Sequence, residues 1–165
     1  MKRKHKQFSK PRKMYDSVRI GDENKIVAKY GLKNKREIWK AKAKLEIIRN
    51  IAKKVIYSDE ETKSKLINKL KQQGFNISDP VEILALTEED ILKRRLQTIL
   101  VTKKLATTAK GARQMIIHKK VFVDNRIVSI PSYMVQTNEE SKIKILKQEK
   151  NKLEKELKLG EEQNE

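Results

Sequence analysis

Residues 106–133 read ATTAKGARQMIIHKKVFVDNRIVSIPSY. The stretch opens as a helix and closes as a hairpin. Thr107 or Thr108 caps a helix that runs to about His118, with Ala112, Met115 and Ile116 on its inner face. The apolar segments VFV and RIVSI then flank Asp124-Asn125, two residues that tolerate positive φ and suit a tight hairpin turn. Strand spacing assigns Phe122 to the core. Around the join stand Arg113, His118, Lys119 and Lys120. That basic grouping admits a catalytic centre, a protein-binding knob or a surface for a polyanion.

Upstream, ILKRRLQTILVTKKL (residues 91–105) follows a helix start at Thr87 with Asp90, and Ile91, Leu92, Leu96, Ile99 and Leu100 supply one buried face. This helix and the next form a compact pair. Residues off the apolar stripe face outward, so Arg94, Arg95 and Gln97 join Lys110, Arg113 and Gln114 as candidates for an exposed basic surface. Lys103 and Lys104 fall at the connection, and with Lys119 and Lys120 they line a small basic groove between the helix pair and the hairpin. His118 fits two readings, a helix-terminal packing residue or a hydrogen bond to phosphate or ribose. Aromatic residues are sparse here, so recognition of RNA shape and phosphates fits better than capture of single strands by stacking.

Further towards the N-terminus, Ile38, Ala41, Leu45, Ile48, Ala52 and Val55 mark one stripe of a helix beginning near Asn34. Ser58 with Glu61 has the pattern of a capping box for a second helix, which buries Leu66, Ile67 and Leu70 and ends at Gly74. Residues 1–20 hold a Lys/Arg cluster with few apolar side chains, a basic arm that orders along phosphates. After Tyr133 the chain mixes charges on a weak helical pattern, and Ile143, Leu146, Leu153 and Leu157 read as one side of a frayed helix.

Composition narrows the function. The 165 residues include 40 Lys plus Arg against 22 Asp plus Glu, a net charge of +18. Residues 1–57 carry net +14 and residues 87–135 net +6, with a spacer and a tail at net −1 each. Two basic blocks of this kind call for a polyanion, either nucleic acid or an anionic membrane surface. The absence of cysteine excludes disulfides, thiolate zinc sites, iron–sulfur clusters and cysteine nucleophiles. Two histidines and five isolated glycines leave no catalytic or metal-ligand set, and the adjacent carboxylates Glu88, Glu89 and Asp90 fall at a helix N-terminus, where the macrodipole accounts for them. No apolar run reaches membrane-spanning length, and MKRKHKQFSKPRK lacks the apolar segment of a signal peptide, so the chain reads as a cytosolic protein without a cofactor.

The segments RRLQT (94–98) and LATTAKGARQMIIHKKVFVDNRIVSIPSYMV (105–135) resemble the RNA-binding domain of the small-subunit ribosomal protein four family. KYGLKNKREIWKAKAKL (29–45) is similar to the N-terminal helical region of its archaeal and eukaryotic branch, and EILALTEEDILKRRLQT (82–98) continues the match. The resemblance covers roughly residues 9–145. It implies an α+β fold: a basic extended arm over 1–33, a helical domain over 34–86, an rRNA-binding domain over 87–135 and a charged tail over 136–165. It implies a non-enzymatic constituent of the cytoplasmic small subunit that binds a junction in the five-prime region of small-subunit rRNA early in assembly. Its neighbours would be other ribosomal proteins, especially small-subunit protein five, with mRNA near the entry channel, and its position would affect decoding accuracy. The family's helix-pair positions fall on Arg94, Arg95, Gln97, Arg113, Gln114 and His118, and the basic N-terminal block adds Arg12, Lys13, Lys33, Lys35, Arg36 and Lys40. Where the family favours glycine, this chain has Lys104, Lys119 and Asn125. A free-standing RNA-binding regulatory or stress module acting on tRNA or ribosomal subunits is the alternative reading.

Overall fold

The computed structural model describes residues 7–146. Three helices come first: α1 (Ser17–Tyr30), α2 (Arg36–Val55) and α3 (Glu60–Gln72). A 3-10 turn over Glu82–Ala85 leads to α4 (Glu88–Lys93), α5 (Leu96–Thr102) and α6 (Ala109–Ile117). Strands β1 (Val121–Val123) and β2 (Arg126–Ile127), helix α7 (Thr137–Glu140) and strand β3 (Ile143–Ile145) complete an α+β fold. No described helix is long and apolar enough to cross a membrane.

Two cores divide the chain. The first gathers Ile38, Ala41, Leu45 and Ala52 of α2 with Leu70, Phe75, Ile83, Ile91 and Leu92. The second packs Leu96, Ile99 and Leu100 of α5 against Ala112 and Ile116 of α6 and the inner face of the sheet. The sheet has the antiparallel order β2-β1-β3. Val121 lies opposite Ile145 and Val123 opposite Ile143, and all four are buried. The hairpin turns through Asp124 and Asn125 with φ of 49° and 63°, the paired positive values of the turn that matches strand twist.

Several expectations need correction. The arm is not extended throughout: residues 17–30 are helical, capped by Asp16, which accepts hydrogen bonds from the backbone N–H groups of Val18 at 3.2 Å and Arg19 at 3.4 Å. Trp39 Nε1 donates to Glu23 Oε1 at 2.9 Å and Arg19 donates to the same oxygen at 2.7 Å, which ties α1 to α2. Helix α3 starts after Asp59 rather than from a Ser58 box, because Ser58 donates backwards to the Lys54 carbonyl. The 91–105 segment is two helices, not one. Arg95 adopts an extended ψ of 143°, which lets Ile91 and Leu92 enter the first core and Leu96 the second. The break is held by Leu96 N–H donating to the Tyr133 carbonyl at 2.8 Å and Val135 N–H to the Arg94 carbonyl at 3.2 Å. Phe122 is half-buried on the outer face, because Val121 and Val123 take the inner positions of a period-two strand. The start of the tail is α7 and β3 rather than a frayed helix, and Ile143 is a core residue. Leu153 and Leu157 lie outside the described residues.

Candidate nucleic-acid interface

Helix α2 presents Arg36, Lys40 and Lys44 at four-residue spacing, which aligns them on one face. They border an open cleft of about 1030 Å³ between α2, the α4–α5 break and the 131–134 segment. Arg95 and Arg113 line it from the second core's side, and Ile47, Ile91 and Met134 give it an apolar floor. Glu37 is the one carboxylate among the lining residues, against five cations.

That carboxylate is already neutralised. Arg95 Nη2 donates to Glu37 Oε2 at 2.5 Å, and Arg113 Nη1 lies 3.0 Å from Glu37 Oε1. Burial pushes the Glu37 carboxyl up, but hydrogen bonding from Arg95, the charges of Arg95 and Arg113 and the Lys33 N–H outweigh it and hold the group below the usual range. The cleft therefore keeps a cationic surplus, with Arg36 and Lys40 exposed and unpaired among the described residues. Lys44 Nζ contacts the sulfur of Met134, a residue of the apolar floor.

Several candidates turn inward, contrary to the expectation that residues off the stripe face solvent. Arg94 donates to the Gln73 carbonyl at 2.9 Å and the Val135 carbonyl at 3.1 Å, and pairs with Glu140 at 3.2 Å. The Arg95 side chain is only 7% exposed in its pair with Glu37. Gln97 is buried, and its amide is shared among the carbonyls of Tyr30 (3.0 Å), Gly31 (2.9 Å) and Ala109 (2.9 Å). These three residues join the two cores. Lys35 is half-buried beside Glu23 at 3.5 Å, and Lys103 donates to the Glu140 carbonyl.

The remaining candidates face outward. Arg12, Lys13 and Lys33 are exposed on the N-terminal side, and Lys104, Lys110, Gln114, His118, Lys119 and Lys120 on the helix pair and hairpin. His118 ends α6 with its backbone N–H on the Gln114 carbonyl at 3.0 Å, and its side chain is open to solvent. Arg113 is partly engaged by Glu37 and Gln97 yet still lines the cleft. Met134 escapes the sequence reading as a cleft residue, whereas Lys44 follows Lys40 at four-residue spacing off the apolar stripe of the helix. Among the described residues no three His, Asp or Glu side chains gather as metal ligands.

Comparison with known proteins gives this arrangement a context. Residues 94–141 match the S4 domain family. The chain is 41% identical over 148 residues to small ribosomal subunit protein uS4 of Thermoplasma volcanium, spanning 84% of this chain and 74% of that protein. It is 40% identical over 144 residues to small ribosomal subunit protein uS4 of Methanothermobacter thermautotrophicus, spanning 84% of each. Against the protein of the same description from Saccharolobus islandicus the identity is 38% over 149 residues, 86% of this chain and 82% of the relative.

Proposed function

The chain belongs to the small ribosomal subunit protein uS4 family, and from that membership we propose that it is a structural, rRNA-binding constituent of the small subunit. The observation that carries the reading is the cleft, whose lining holds five cations and a single carboxylate already bridged by two arginines. A surface with that surplus attracts a polyanion and is poorly suited to a neutral or cationic ligand. Exposed Lys104, Lys110, Lys119 and Lys120 extend the cationic surface over the S4 domain.

The finer reading is that the protein pins a helical junction in the five-prime region of small-subunit rRNA during assembly in the cytoplasm. It lies beside small-subunit protein five near the messenger entry channel, where mRNA passes and decoding accuracy is affected. Its role is architectural rather than catalytic. The mechanism is charge neutralisation by the N-terminal block together with shape recognition by the helix pair and hairpin.

Filter binding to a small-subunit rRNA transcript across a salt series tests this. Affinity falls steeply with salt. Arg36→Gln with Lys40→Gln weakens binding and makes the slope shallower by roughly one for each phosphate that is no longer neutralised. Affinity that is nearly independent of salt, or equal for rRNA and an unrelated RNA, refutes the reading.

A further inference from the structure

Among the described residues four helices end in a left-handed residue that closes the last turn with paired backbone hydrogen bonds. Two of these residues are glycines packed closely against a neighbour, Gly31 against backbone and Gly74 against the end of a side chain. A Cβ on Gly31 (φ 58°) would lie 2.9 Å from the Ala109 backbone carbon, and one on Gly74 (φ 82°) would lie 2.2 Å from Arg94 Cζ. The other two, at the ends of α5 and α6, are Lys104 (φ 56°) and Lys119 (φ 57°). Their hydrogen bonds repeat the pattern. Lys104 N–H and Leu105 N–H donate to the Val101 and Leu100 carbonyls, both at 2.9 Å, and Lys119 N–H and Lys120 N–H donate to the Ile116 and Met115 carbonyls, both at 3.0 Å.

A lysine here has its Cβ crowded against the following carbonyl, a strain that glycine lacks. Among the described residues no side-chain contact offsets it. Both side chains are exposed, and neither ammonium has a hydrogen-bond or ion-pair partner among the described residues. The helix dipole does not require them either, because Lys103 ends α5 and Lys120 follows α6 without positive φ and supply cations at the same helix ends. Two independent sites with the same unrelieved strain and the same residue type point outside the free protein.

We infer that Lys104 and Lys119 contact the RNA phosphate backbone, so that the bound state recovers what the left-handed lysines cost the free one. The inference rests on the rRNA-binding reading above. Phosphate is the partner because Lys110 and Lys120 are likewise exposed on this domain, whose residues 87–135 carry net +6, a setting unfavourable for a cationic or neutral protein surface.

The test is the double variant Lys104→Gly/Lys119→Gly in the full chain, with melting temperature and salt-dependent affinity for a small-subunit rRNA transcript measured together. Its melting temperature rises by roughly 3 to 6 °C as the strain is relieved. Its affinity falls about tenfold at low salt, and the slope of log affinity against log salt becomes shallower by roughly 1.5 to 2. Lys69→Gln/Lys71→Gln, exposed on α3, removes the same charge and changes affinity by less than about twofold. An unchanged or lowered melting temperature overturns the strain argument. An affinity loss no greater than that of the α3 control overturns the phosphate contacts while leaving rRNA binding intact. A wild-type chain that does not bind the transcript overturns both.

Discussion

Replacing Glu37 with alanine is the most informative perturbation of the free protein. Glu37 stands on α2 of the first core and pairs with Arg95 and Arg113, both in the second half of the chain. The side-chain exposures are 17% for Glu37, 7% for Arg95 and 20% for Arg113, so the group is largely shielded from water. Removing the carboxylate leaves the Arg95 guanidinium buried without a counter-charge, and its Nε already lacks a partner. Breaking a pair of this kind costs about 3–5 kcal/mol, and partial exposure of Arg113 argues for the lower end, about 3 kcal/mol. Urea denaturation followed by circular dichroism measures it as a drop in midpoint with an unchanged slope. Glu37→Met combined with Arg95→Met recovers most of the loss, since apolar side chains of similar volume remove the orphaned charge together with its partner. A Glu37→Ala cost below about 1 kcal/mol, the level of a surface ion pair, refutes the claim that this cluster joins the two halves.

Neighbouring groups are open to the same kind of test. Gln97→Met leaves the Tyr30, Gly31 and Ala109 carbonyls without their donor and costs about 1–3 kcal/mol in urea denaturation. Gly74→Ala is destabilising by more than about 1 kcal/mol, because φ is +82° and the added Cβ meets the Arg94 guanidinium, and a differential scanning melt reads the loss. The Glu23 carboxyl is raised by burial but lowered further by hydrogen bonds from Trp39 and Arg19 and by the charges of Arg19 and Lys35, so its folded value lies below the ordinary 4.5. A depressed carboxylate adds stability that is fully present above the ordinary value and is lost as pH falls through the folded one. The urea midpoint is therefore flat above about pH 6 and falls below about pH 4.5, more shallowly in Glu23→Gln.

The parts of the fold that sequence periodicity reaches are those set by local rules. The stripe of α2, the glycine after α3, the Thr108 cap and the Asp124-Asn125 turn depend on spacing or on backbone tolerance within a few residues. What escapes depends on partners far along the chain. A three-residue alternation in Ile143-Lys144-Ile145 is too short to outweigh a charged helical pattern, and only pairing with β1 makes it a strand. Helix α1 reads as a loose basic arm because its anchor, buried Glu23, has meaning only once Trp39 lies beside it. The break between α4 and α5 follows from two cores that claim adjacent apolar residues, which one continuous stripe cannot represent.

The candidate interface shows the same division between chemically different cations. Treating Lys and Arg alike as basic assigns Arg94 and Arg95 to an outer surface, yet these two join Arg19, Arg49 and Arg113 in internal contacts. The guanidinium explains the difference. Its several fixed donors and weak hydration suit it to carbonyls and carboxylates at a junction between packed parts, as in Arg94, which spans Gln73, Val135 and Glu140. The ammonium of lysine is compact and strongly hydrated, and Lys40, Lys104, Lys110, Lys119 and Lys120 remain outside. For this chain the arginines at the α4–α5 break and on α6 report how the halves are joined, whereas the exposed lysines, together with exposed Arg12, Arg36 and Arg126, mark the surface available to a polyanion. The left-handed lysines fit that division, since at those two positions the backbone itself favours a residue other than lysine.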